Sequence, residues 1–172
     1  MDLSQLSPSD AVVALRGLER RYRGLFAGLS DDEAPDDLAH RRAGDWSAID
    51  HAVAATRFIA GANRALARVL AADSPPVAAA DVDPAVSPSP GAPPGPVDGP
   101  LAALGAEANA MADRIDHVPT GDWTRPAVVG NGTGRTVTAL DIARAAVDAG
   151  VTHLRAAEKV LDAVRGRPAD PD

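Results

Sequence analysis

Trp46-Ser47-Ala48-Ile49-Asp50 decides the fold of this chain, because it opens the apolar series Ile49, Val53, Phe58, Ile59, Ala62, Leu66, Val69 and Leu70. A Ser followed three residues later by a carboxylate is a capping box. The hydroxyl accepts from the third helical amide, and the carboxylate reaches back to the Ser amide. The apolar residues beyond it recur at three- and four-residue steps, the spacing of one helix face. The stretch therefore predicts a long amphipathic helix from Ser47 to about Ala72.

Working outward, Thr138-Ala139-Leu140-Asp141 repeats the box ahead of Val147, Val151, Leu154, Leu161 and Val164. That helix should end before Gly166 and Pro168. Upstream, Ser7-Pro8-Ser9-Asp10 reads as an N-cap with proline in the first helical position. Leu15, Leu18, Tyr22, Leu25 and Leu29 continue it as one helix to about Leu29, and the acidic Asp31-Asp32-Glu33 and Asp36-Asp37 read as a solvated loop. Leu101, Leu104, Ala108, Met111, Ile115 and Val118 form a further stripe, stopped by Pro119 and Gly121. Four amphipathic helices predict an all-α four-helix bundle with a long Pro/Gly-rich connection between helices 2 and 3. No strand and no internal repeat is read.

That connection holds nine prolines between Asp73 and Pro100 and no apolar period. Such composition predicts an extended, mobile connector. Neither half of the chain carries enough apolar helix to close a core alone. Residues 1–166 are therefore read as one helical-bundle domain with 73–100 as its connector, and 167–172 as a disordered tail.

With five aromatics in 172 residues, the core must be built from Ala, Leu, Val and Ile; alanine-rich helices cost little side-chain entropy and pack closely. The absence of cysteine excludes disulfides, a thiolate nucleophile and cysteine-bound zinc. Met1-Asp2-Leu3-Ser4-Gln5 does not open a signal peptide, and no apolar run is long enough to span a bilayer. The expectation is a cytoplasmic protein without a membrane partner. A formal charge of -7 argues against nucleic acid, and Arg16, Arg20, Arg21 and Arg23, interleaved with Glu19, read as a solvated helix face. No G-x-S-x-G, phosphate loop or dinucleotide fingerprint occurs. Gly130-Asn131-Gly132-Thr133-Gly134 reads as a turn.

The Trp46-Ser47 box, the loop Asp122-Trp123-Thr124-Arg125 and the run Ala146-Val147-Asp148-Ala149-Gly150-Val151-Thr152-His153-Leu154-Arg155 stand in an order that resembles the DinB-like (YfiT-like) metalloenzymes. Mycothiol-dependent maleylpyruvate isomerase-type proteins are related to them. The resemblance implies a helical bundle holding a divalent metal on three histidines. One lies eight residues after the tryptophan, and two lie four residues apart on the last helix. Those positions are Ala54, Asp148 and Thr152 in this chain. His153 matches the second histidine of the relatives' His-His-Leu run, about 100° around the helix from the ligand face.

With the triad replaced, no metal or other cofactor is expected. The reading is a non-catalytic small-molecule-binding or protein-interaction module, with a small-molecule ligand or a second copy of the chain as partner. Asp50, His51, Ala54, Asp148, Thr152 and His153 are the ligand or cavity candidates, and no residue is assigned as catalytic. The alternative is a rebuilt divalent-metal site, Zn or Ni, on Asp50, His51 and Asp148. It would serve a transferase or isomerase that uses a low-molecular-weight thiol such as mycothiol or bacillithiol. Asp148, in mid-helix, should be exposed or paired with Arg144 or Arg155, since an unpaired buried charge is costly. Trp46 and Trp123 are expected side by side at the bundle mouth, with His40 and His117 in solvent.

Overall fold

The computed structural model describes residues 5–27, 35–85, 91–92, 95–130 and 134–165. The helices are α1 (Pro8–Arg16), α2 (Leu18–Ala27), α3 (Pro35–His40), α4 (Ala48–Ala71), α5 (Asp98–Asp116) and α6 (Ala139–Val164). α1 and α2 together make the first arm of a four-helix bundle, with α4, α5 and α6 as the others. All three capping boxes form, on Ser7/Asp10, Ser47/Asp50 and Thr138/Asp141. Each removes two unsatisfied amides at a helix start, which is why these three termini were legible.

The first arm is two helices rather than one. The chain breaks at Gly17, where the amide bonds back to Val13 and Leu15. Glycine carries the largest helix-propensity deficit after proline, and the break lets α2 bury Leu18, Tyr22 and Phe26. Leu29 and the acidic residues 31–33 lie outside the described residues. Asp36 and Asp37, expected in a loop, belong to α3; the Asp36 carboxylate accepts from the Val97 amide at 3.1 Å.

Among the described residues, five short strands correct the expectation of none. β1 (Arg42–Ala43) pairs antiparallel with β2 (Trp46–Ser47), Ala43 opposite Trp46. Gly44, at φ 81°, supplies the left-handed backbone that the tight connection needs. β3 (Pro76–Val77), β4 (Pro126–Val129) and β5 (Thr136–Thr138) form a second sheet. β3 runs parallel to β4, and β5 antiparallel to it with Ala127 opposite Val137. Gly130-Asn131-Gly132-Thr133-Gly134, expected as a turn, falls between β4 and β5, and its residues 131–133 lie outside the described residues.

The described part of the proline-rich connection is therefore structured, against the expectation of a mobile segment. Val77 and Val82 are buried in the core, and residues 79–81 form a 3-10 turn. That turn rests on α4 at Gly61, where any Cβ would collide with the Asp81 carboxylate. A few valines and one sheet partner order a segment whose composition argues for disorder. Residues 86–90 and 93–94 lie outside the described set.

One continuous apolar cluster runs from Leu6 to Val164, and α4 and α6 share the largest helix–helix interface. The arginine stripe on α1 and α2 is exposed. Arg16 pairs with Asp113 and Asp116 at 2.9 and 2.8 Å, and Arg23 with Glu19 and Asp98 at 2.9 and 2.6 Å. No helix among the described residues is long and apolar enough to cross a membrane.

Candidate functional site

The six candidate residues do not form one site: Asp50 and Ala54 each stand apart, and the other four make two separate pairs. Among the described residues Asp50 and Ser47 are the buried polar ones, and both Asp50 oxygens are engaged. Oδ2 accepts from the Ser47 amide and hydroxyl, each at 2.8 Å. Oδ1 accepts from the Gly91 and Ala92 amides at 3.0 and 2.7 Å. Burial alone would raise its pKa, but these four bonds to the charged form outweigh it and hold the carboxyl below its ordinary value. Asp50 is thus a cap and a clasp, with no lone pair left facing a cavity.

His51, one residue on, meets His153 of α6 with 3.1 Å between the two Nδ1 atoms. Trp46, held by the β1–β2 hairpin, stacks on both rings. Its centroid lies 4.8 Å from His51 at 26° and 5.9 Å from His153 at 15°. Burial pushes the His51 pKa down, partly offset by Asp50. Burial, then the charge of His51, brings His153 down to about 4. Both shifts favour the neutral rings, and one Nδ1–H donating to the other Nδ1 satisfies the contact, the donor being set by the tautomer.

Asp148 lies roughly 140° around α6 from His153 and lines a different feature. This is an open cleft of about 310 Å³ bounded by Val82, Val137, Ile142, Arg135 and Arg144. Neither expected partner engages Asp148. Its one described bond is a long one, 3.4 Å, from the Thr152 hydroxyl a turn further on. Arg144 instead donates Nε to the Leu6 carbonyl at 3.1 Å. Arg135, at the rim, pairs with Asp83 at 2.9 Å. Thr152 is exposed, and Ala54 is buried at 2% exposure.

The side chains at the three positions implied by the resemblance do not make a three-imidazole metal site. A methyl group, a hydroxyl and one carboxylate occupy the positions where the resemblance places imidazoles. Among the described residues no three His, Asp or Glu side chains converge as a metal site. The rebuilt set of Asp50, His51 and Asp148 is not assembled either, since Asp50 is saturated and Asp148 faces the cleft.

The two tryptophans, expected together, stand apart along α6, Trp123 by its first turn and Trp46 by its middle. Trp46 sits by His153, whereas Trp123 lies with Pro8, Ile115 and Leu140; thirteen residues of helix separate the two anchors, about 20 Å. His117 is exposed as expected. His40 is half-buried, its Nε2 2.8 Å from the Gly95 carbonyl. Sequence reasoning missed Arg135 and the cleft. The visible signal was the β-branched run Val128-Val129 and the alternation Thr136-Val137-Thr138 on either side of a glycine-rich stretch, which marks a hairpin that carries Val137 and Arg135 to α6.

No family model and no curated protein matches the sequence. Among solved structures the chain is similar to YfiT from Bacillus subtilis, described as "a probable metal-dependent hydrolase with an unusual four-helix bundle topology". The likeness has a TM-score of 0.70 at 10% sequence identity, and covers 95% of this chain and 90% of that one. The fold is a YfiT/DinB-like helical bundle.

Proposed function

We propose that this protein is a non-catalytic, small-molecule-binding form of the YfiT/DinB-like bundle, with its ligand seat in the cleft beside Asp148. The observation that carries the reading is the state of α6. Where the resemblance places metal ligands, the Asp148 side chain lines an open, half-apolar cleft and, among the described residues, takes one long bond from the exposed Thr152 hydroxyl. Val82, Val137 and Ile142 supply apolar floor, and Arg144 and Asp148 supply opposite charges one helical turn apart. A pocket of that make-up selects a ligand by shape and charge without a nucleophile.

The test is a thermal-shift screen of small molecules in the presence of EDTA, repeated with Asp148→Ala. A ligand that binds only the folded chain raises stability by RT ln(1 + [L]/Kd), about 2.7 kcal/mol at a hundredfold excess over Kd. A metal-independent rise that disappears in Asp148→Ala supports the reading. Stoichiometric metal lost in Asp148→Ala, with hydrolysis or thiol transfer, supports the metalloenzyme alternative, which the description of YfiT favours.

The interaction-module half of the reading is supported by Val13, 73% exposed on α1 beside Ala14, Val147 and Val151. Sedimentation velocity against concentration, with Val13→Lys as control, tests a homodimer through that face.

A further inference from the structure

We propose that His51 and His153 form a two-nitrogen seat for a divalent transition-metal ion that ties α4 to α6, separate from the Asp148 cleft and from the positions at which the resemblance places a metal. The argument starts from the distance. Two metal–imidazole bonds of about 2.0–2.1 Å, at angles between octahedral and tetrahedral, put their nitrogens roughly 2.9–3.4 Å apart. The two Nδ1 atoms stand at 3.1 Å. They come from different helices, 102 positions apart in the chain, so the approach belongs to the bundle and not to local helix geometry.

The rings are prepared for a ligand in two further ways. Trp46 stacks on both of them, which limits ring rotation and lowers the entropy cost of fixing two imidazoles on one ion. The mutual tilt of the His rings, 41° with centroids 5.4 Å apart, keeps them from lying flat on each other and leaves an edge for an ion. Binding balances without a redox partner. The ring that carries its proton on Nδ1 transfers it through solvent to Nε2, both rings remain neutral, and both Nδ1 lone pairs go to the ion. No third His, Asp or Glu completes the cluster among the described residues, so water fills the remaining positions. Such a site favours Cu(II) and Ni(II) among imidazole-binding divalent ions. It has no bearing on whether the Asp148 cleft takes a small molecule, so either proposal can fail alone.

The experiment is a Cu(II) titration of the full-length Trp123→Phe variant, which leaves Trp46 as the only indole, read by fluorescence and by equilibrium dialysis. The expected result is saturable, EDTA-reversible quenching with stoichiometric retention of copper. His51→Gln and His153→Gln, each checked for helical circular dichroism, should weaken binding by about tenfold or more. Asp148→Ala should leave it unchanged. Non-saturable quenching overturns the proposal, as does copper binding that survives both His variants or is lost in Asp148→Ala.

Discussion

The Asp50 carboxylate accepts the Ala92 amide at 2.7 Å while its other oxygen caps α4 through Ser47. One side chain therefore starts a helix and pins the connection that crosses its N-terminus. Asp50→Ala should cost about 2–4 kcal/mol, the sum of a lost capping box and two lost charge-assisted bonds. Asp50→Asn keeps one acceptor and should cost less. Urea denaturation reads both; a loss below about 1 kcal/mol for Asp50→Ala would show that the clasp carries little of the stability.

Gly61 provides a second check on how the connection packs. A Cβ there would meet Asp81, so Gly61→Ala should destabilise by about 1–3 kcal/mol despite its better helix propensity. Asp81→Ala in the same chain removes the colliding carboxylate and should restore much of the loss. The double-mutant cycle measures this coupling. Simple additivity of the two changes would mean that the 79–81 turn does not rest on α4.

Val82 lies at 3% exposure within the core cluster although it belongs to the proline-rich stretch. Val82→Ala should cost about 1–3 kcal/mol. Deletion of residues 75–98 should cost more than any single substitution, since it removes Val77, Val82 and strand β3 together. Thermal denaturation of both variants measures this, and an unchanged melting temperature on deletion would return the segment to the status of a passive tether.

The His pair sets an acid dependence. His153 takes its proton at about 4 in the folded chain against an ordinary 6.5, so below pH 6.5 the unfolded chain binds a proton that the folded chain refuses. Stability contributed by the neutral ring is complete above about pH 6.5 and falls as pH drops towards 4. Partial exposure of the ring limits the effect to about 1–2 kcal/mol. His153→Gln should flatten that part of a stability–pH curve measured by urea denaturation between pH 7 and 4; an unchanged slope would place the titration elsewhere.

Local signals were read correctly where they are self-contained. A capping box needs four residues and an apolar stripe needs one helix, so Ser47/Asp50, Thr138/Asp141 and the faces of α4, α5 and α6 were visible in the sequence. The connection was misread because composition averages over its residues, whereas Val77 and Val82 act singly once a sheet edge and α4 are beside them. At the site, Asp50 was legible as the cap of α4, whereas the meeting of His51 with His153 was not.

Sequence by itself determined that α4 and α6 exist and where they start, because each is a property of residues within a few turns of one another. Only the tertiary structure decided that Asp50 is spent on Gly91 and Ala92, that Asp148 opens onto a cleft with Arg144, and that His51 and His153 meet through their Nδ1 atoms beneath Trp46. Those outcomes depend on the rotation of α6 against α4 and on the path of the connection. Both are set by core packing among distant residues, and that packing leaves no mark in the local pattern of the chain.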